Sequence, residues 1–251
     1  MALSLDTVTV EASRAEDARA FHASVFTPGA PADSPVVDLN GTGRLSFEGT
    51  DSIATGFRGC VLSVIVERPA EVQALVETAA AHGAEVVKPP RKELFGEYTA
   101  VFRTPDGTLW KLAAATKKNR GAVPEPPEPV ETAVYLGVTS PKASQGFYGA
   151  LGMETRHDYG DKFVDFTAVT GTSRLGLLRR AALAKDVGVD EHGTGPTGVV
   201  LTHTAASRAD LDALLSRADA AAAAVTVPEP GTHTGGFTDP DGHRWRITAM
   251  V

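Results

Sequence analysis

The chain lacks most of the features that would disclose a function at once. It has one cysteine, Cys60, in 251 residues, so no internal disulfide framework holds it and a reducing compartment suits it. Cys60 adjoins Val61-Leu62 and reads as a buried, inert thiol. No apolar run approaches membrane-spanning length, and the first residues lack the basic-then-apolar pattern of a signal peptide. A cytoplasmic protein without membrane attachment is expected. Positive charge is thin: 24 Lys and Arg face 31 Asp and Glu, a formal net charge of −7. Adjacent basic residues occur only at Arg91-Lys92, Lys117-Lys118 and Arg179-Arg180. A phosphate backbone calls for clustered cations, so a nucleic-acid partner is not expected. Also missing are H-E-x-x-H, G-x-S-x-G and phosphate-loop glycine patterns, which removes the commonest signatures of metal, nucleophilic and nucleotide chemistry.

What the chain does have is a repeat. Gly231 to Ile247 reads GTHTGGFTDPDGHRWRI, and Gly96 to Leu112 reads GEYTAVFRTPDGTLWKL. One constant offset carries Trp245 to Trp110, Gly242 to Gly107, Pro240 to Pro105 and Phe237 to Phe102. Pro-Asp-Gly between alternating runs is a hairpin turn. Proline presets φ, aspartate bonds its own turn, and glycine takes the left-handed position without steric cost. Upstream, Phe21 and Phe147 each follow a short apolar strand and sit on a helix with a capping signal. Ser13 and Glu16 read as a capping box, and Ser140 as an N-cap with Pro141 at the first helical position.

The repeat divides the chain into residues 1–118, a linker at 119–130 and residues 131–251. Pro124, Pro126, Pro127 and Pro129 give the linker polyproline character, extended by about 3 Å per residue. In the first half the pattern runs strand (Leu3 to Val10), helix (Ser13 to Phe26), a hairpin at Asn40-Gly41, and a glycine-bearing loop from Gly49 to Gly59. Strand Cys60 to Val66, helix Pro69 to His82 and the terminal hairpin complete it. The second half repeats this order, with a long loop at Ala181 to Gly198 and a helix at Ser207 to Ala222.

The β-α-β-β-β order, Phe147-Tyr148 with Phe21-His22 in the first copy, and F-x-x-P-D-G-x-x-W at the end of each half resemble the vicinal oxygen chelate superfamily. That group includes glyoxalase I, bleomycin-resistance proteins and extradiol dioxygenases. The resemblance covers nearly the whole chain. It implies an α+β fold of two tandem modules, each of paired β-α-β-β-β units forming curved open-barrel sheets around a ligand cavity. It also implies where a divalent metal would be held. The first-strand position falls on Thr7 and Ala133, the third-strand position near Val61 and Gly198, and the position after each terminal tryptophan on Lys111 and Arg246. None of these is an imidazole or carboxylate, and a cation beside a divalent ion repels it. No metal ligand, cofactor or catalytic residue is therefore assigned.

Strand alternation places Val8 and Val10 in the core and Thr7, Thr9 and Glu11 on the other face. The same parity separates Trp110 from Lys111, and Trp245 and Ile247 from Arg244 and Arg246. The candidate ligand-binding set is Thr9, Glu11, Tyr98, Lys111, Tyr135, His233, Arg244 and Arg246. These residues suit a polar or anionic small molecule, Arg246 offering paired hydrogen bonds to a carboxylate or phosphate. Alternatively the cations lie along a solvated strand face or pair with Glu11 or Asp165.

The expectation is a metal-free binder of a small molecule, an antibiotic or a metabolite. The alternatives are a metal-dependent lyase, isomerase or dioxygenase using His233, His203 and Glu11, and a silent partner-binding protein. A homodimer, and pairing of modules within or between chains, stay open.

Overall fold

The structure is a computed structural model that describes residues 2–31, 34–52, 55–93, 96–119, 122–229 and 231–250. In the first half the elements are β1 (Thr7–Ala12), α1 (Ala15–Phe26), β2 (Val36–Asp38), β3 (Arg44–Gly49), β4 (Thr55–Gly56) and β5 (Cys60–Val66). There follow α2 (Pro69–Ala81), β6 (Glu85–Lys92), β7 (Tyr98–Arg103) and β8 (Leu109–Ala114). The second half opens with β9 (Pro129–Val138), α3 (Pro141–Ala150), β10 (Thr155–Asp158), β11 (Val164–Phe166) and β12 (Arg174–Arg179). It closes with α4 (Arg180–Val187), β13 (Gly193–Thr194), β14 (Val199–Ala205), α5 (Arg208–Ala220), β15 (Ala224–Thr226), β16 (Thr234–Thr238) and β17 (Arg244–Ala249).

The strands form two large, curved, unclosed sheets, in the order β15-β16-β17-β14-β1-β3-β2 and β10-β11-β12-β9-β5-β8-β7-β6. Each sheet takes one unit from each half of the chain: β1 lies antiparallel to β14, and β5 antiparallel to β9. The two modules therefore pair within this one chain. That pairing gives one continuous core, in which Val8, Val10, Leu62, Val64, Leu136 and Ile247 are all buried. No helix among the described residues is long and apolar enough to cross a membrane.

Local chemistry explains most elements. At the β2–β3 hairpin Asn40 and Gly41 both take positive φ, 55° and 67°, the primed turn whose twist matches the flanking strands. The Ser140 hydroxyl accepts from the Ala143 N–H at 3.2 Å, and Ser207 caps α5 in the same way at 3.2 Å from Asp210, each satisfying an orphan donor. The expected capping box at Ser13 and Glu16 does not form. Helix α1 starts at Ala15 with Arg14 as N-cap and no side-chain cap bond. Arg14 instead pairs with Asp17 at 2.6 Å. The expected loop from Ala181 to Gly198 is also corrected, since its first third is helix α4, ended by Gly188 in the left-handed conformation. Cys60 is buried as expected, and desolvation lifts its thiol pKa to about 12.

The repeated tryptophans each tie a terminal hairpin to the first helix of their own half. Trp110 donates its indole N–H to His22 Nε2 at 3.1 Å, while His22 Nδ1–H donates to the Ala18 carbonyl at 2.7 Å. In the second copy Trp245 donates to the Tyr148 hydroxyl at 3.2 Å, and that hydroxyl donates to Asp239 at 2.6 Å. This arrangement needs neutral His22, and burial lowers its pKa below 6.5. The unfolded chain then takes up a proton at a pH where the folded one does not. Stability should be fully present above about pH 6.5 and decline as pH falls through the unfolded value. Melting temperatures from pH 7.5 to 5.5 should show that slope, reduced in His22→Gln, which keeps an acceptor for Trp110.

Candidate functional site

Each sheet has one face on the main core and one turned away from it. On the first sheet the outward face carries hydroxyls overlaid by charges. Thr7, Thr202 and Arg246 stand in one cross-strand row, and Thr9 lies opposite Ser46. The Thr9 and Ser46 hydroxyls are 2.8 Å apart. Over them, Arg246 binds Glu48 through both guanidinium nitrogens, at 2.6 and 2.8 Å, and Arg244 binds Glu11. Glu48 and Arg246 keep 45% and 32% of their side-chain surface exposed. The hydrogen bond from Arg246 holds the Glu48 pKa below its ordinary value, and Glu48 in turn raises that of Arg246. Beneath this layer the Thr202 hydroxyl is buried and, among the described residues, has no hydrogen-bond partner.

The corresponding row on the second sheet is Ala133, Ser63 and Lys111. Here α4 lies on the outward face. Leu183, Ala184 and Val187 of α4 pack with Phe57, Val61, Val101 and Leu109 into a separate small core. Glycine at 137 permits this approach, because a Cβ there would stand 3.1 Å from the Arg180 Cα. Lys111 pairs with Asp186 of α4 at 2.7 Å. Lys88 donates to the Asp186 carbonyl at 2.5 Å, where a cation suits a helix C-terminus. Arg180 donates to the Phe57 carbonyl and lies over the Phe57 ring at 5.2 Å. Beyond α4 the same face holds a polar cluster. Arg174 bonds Asp165 at 2.5 Å and Glu131 at 2.5 and 2.7 Å, and His157 Nδ1 lies 2.9 Å from Asp165.

A family model for the Glyoxalase/Bleomycin resistance protein/Dioxygenase superfamily matches residues 11–112 and 131–247. The chain belongs to that superfamily. A Bacillus subtilis protein provisionally described as a dioxygenase is similar at 14% identity, covering 99% of this chain and 85% of its own, with a TM-score of 0.65. Glyoxalase I from Zea mays is similar at 17% identity, covering 98% and 92%, with a TM-score of 0.63. At these identities the likeness is one of fold. A comparison with curated proteins finds no match.

Within the superfamily fold, the eight sequence-derived candidates separate into groups. Thr9, Glu11, Arg244 and Arg246 come together on the outward face of the first sheet. Lys111 and Tyr135 lie on the outward face of the second, the first engaged by α4 and the second beside Arg174, whose guanidinium is 5.9 Å from its ring. Tyr98 packs against the main core on the helix side, sharing parity with Ala100 and Phe102. His233 is exposed just before β16, where its carbonyl accepts from the Ala249 N–H at 2.8 Å. The register pairs Ala133 with Ser63 and Thr7 with Thr202, two positions beyond Val61 and four beyond Gly198. Residues absent from the sequence-derived set are Glu48, Ser46, Thr202 and Arg174. The alternation Arg44-Leu45-Ser46-Phe47-Glu48 carried the signal for two of them.

Among the described residues, no group of three or more His, Cys, Asp or Glu side chains is placed to hold a metal ion. A groove of about 900 Å³ runs between α1, α2 and the proline linker, away from both outward faces. Its lining is largely Ala, Thr and Pro.

Proposed function

We propose that this superfamily member binds a small polar molecule on the outward face of the first sheet, using side chains instead of a metal ion. The observation that carries this reading is the difference between two equivalent faces. One is covered by α4, with its cation tied to Asp186. The other, among the described residues, is topped by arginine–glutamate pairs over a layer of hydroxyls. Glu48 keeps 45% of its side-chain surface, so water competes for the Arg246–Glu48 pair and a ligand can part it at modest cost. A divalent metal does not fit this donor set. Glu11 and Glu48 are each engaged by a guanidinium, the remaining donors are neutral hydroxyls, and two fixed cations repel a third. Antibiotic or metabolite sequestration is the role such a site would serve.

A thermal-shift screen of polar small molecules tests the reading. Compounds that stabilise the wild type should lose most of that effect in Arg246→Ala, since stabilisation follows ligand occupancy of the folded state. Stabilisation that persists in Arg246→Ala, or is caused by divalent cations alone, overturns it.

A further inference from the structure

The first-sheet site also points to the chemistry of its ligand, an inference resting on the function proposed above. Arg246 presents both terminal nitrogens to one carboxylate. Glu48 meets them with one oxygen each, at 2.6 and 2.8 Å, the two-point geometry a planar carboxylate accepts best. Yet Glu48 is a half-exposed occupant. Its side chain is 45% exposed, and among the described residues its two oxygens are bonded only to Arg246. Next to this pair stands Thr202, directly opposite Arg246 in the register. Thr202 is 9% exposed and its hydroxyl has no partner among the described residues. Buried hydroxyls are rarely left so, and neither Glu48 nor the Thr9–Ser46 pair reaches it. Around them the charges balance: Arg244 and Arg246 against Glu11 and Glu48. An entering anion therefore has to replace one of the acids, and Glu48 is far more exposed than Glu11, whose side chain keeps 13%.

We propose that the ligand is a small carboxylic acid with a second hydrogen-bonding group, and that Glu48 occupies the place of its carboxylate until it arrives. On binding, the ligand carboxylate takes the two Arg246 nitrogens and Glu48 swings into water. The second group meets the Thr202 hydroxyl. That last bond is the gain Glu48 itself cannot supply, and it decides the exchange. No covalent step is involved. The carboxylate confers attraction, and Thr202 confers selection among carboxylates of equal size.

The test uses glycolate and propionate, which match in size and differ by a hydroxyl in place of a methyl. Binding is followed by ligand-observed saturation-transfer NMR on the full chain. Glu48→Gln removes the internal competitor and should bind glycolate about tenfold tighter than wild type. Both proteins should prefer glycolate to propionate, and Thr202→Val should abolish the preference while leaving carboxylate binding in place. Circular dichroism at the same temperature confirms that each variant is folded, and Glu48→Ala serves if the glutamine still engages Arg246. Equal glycolate affinity in wild type and both Glu48 variants overturns the proposal, as does a preference unaffected by Thr202→Val. If neutral polar compounds bind in an Arg246-dependent way and carboxylates do not, the ligand class fails while the binding face stands. Absence of binding by every probe removes both.

Discussion

Arg174→Met should destabilise the protein by about 3–5 kcal/mol, the cost of breaking a buried ion pair from one side. Arg174 and Asp165 keep only 8% and 2% of their side-chain surface, and Arg174 also engages Glu131. Methionine fills much of the same volume, so the loss is electrostatic more than steric. Asp165 would keep the His157 N–H and imidazole, both at 2.9 Å, but lose its guanidinium partner. Urea unfolding should show a lower midpoint at unchanged slope, since the surface exposed on unfolding is nearly the same. Asp165→Asn in the methionine background should recover part of the loss, because it removes the stranded charge. A loss below about 1 kcal/mol would mean that Asp165 turns to solvent when released.

Trp245→Ala should cost a comparable 3–5 kcal/mol, the range for emptying a buried large aromatic site. Trp245 is 2% exposed. Its ring stacks on Phe237 with centroids 5.8 Å apart, and its indole N–H is satisfied by Tyr148. The same strand carries Arg244 and Arg246 on its opposite face. Loss of the anchor should therefore reduce binding at the first sheet as well as lower the melting temperature. Trp245→Phe keeps most of the apolar contact and should cost clearly less. Calorimetry on both variants, with Trp110→Ala as the equivalent change in the other copy, checks the expectation. If the two alanine variants differ several-fold, the hairpins are not equivalent supports.

Much of the site's composition was legible in the chain. Parity alone puts Thr9 with Glu11 on one face of their strand and Arg244 with Arg246 on one face of theirs, because a strand's side chains alternate whatever it pairs with. Tyr98 is the exception among the candidates: it shares its face with Ala100 and Phe102, and the alternation of Tyr98–Arg103 turns it to the core. Helix α4 was readable too, from Leu183, Ala184 and Val187 ahead of Gly188, but its length of 8 residues falls short of a strong periodic signal.

What the sequence determined by itself is the repeat, its two hairpins and the identity of each strand's polar face, because turns, caps and alternation depend on neighbours along the chain. Only the tertiary structure decided that β1 of the first half lies beside β14 and not beside β5. It also decided that Arg246 meets Glu48 across 198 positions of sequence, and that α4 covers one outward face and leaves the other clear. Those outcomes depend on which surfaces bury best against each other over long loops. Such competition among distant partners is recorded in no local stretch of residues.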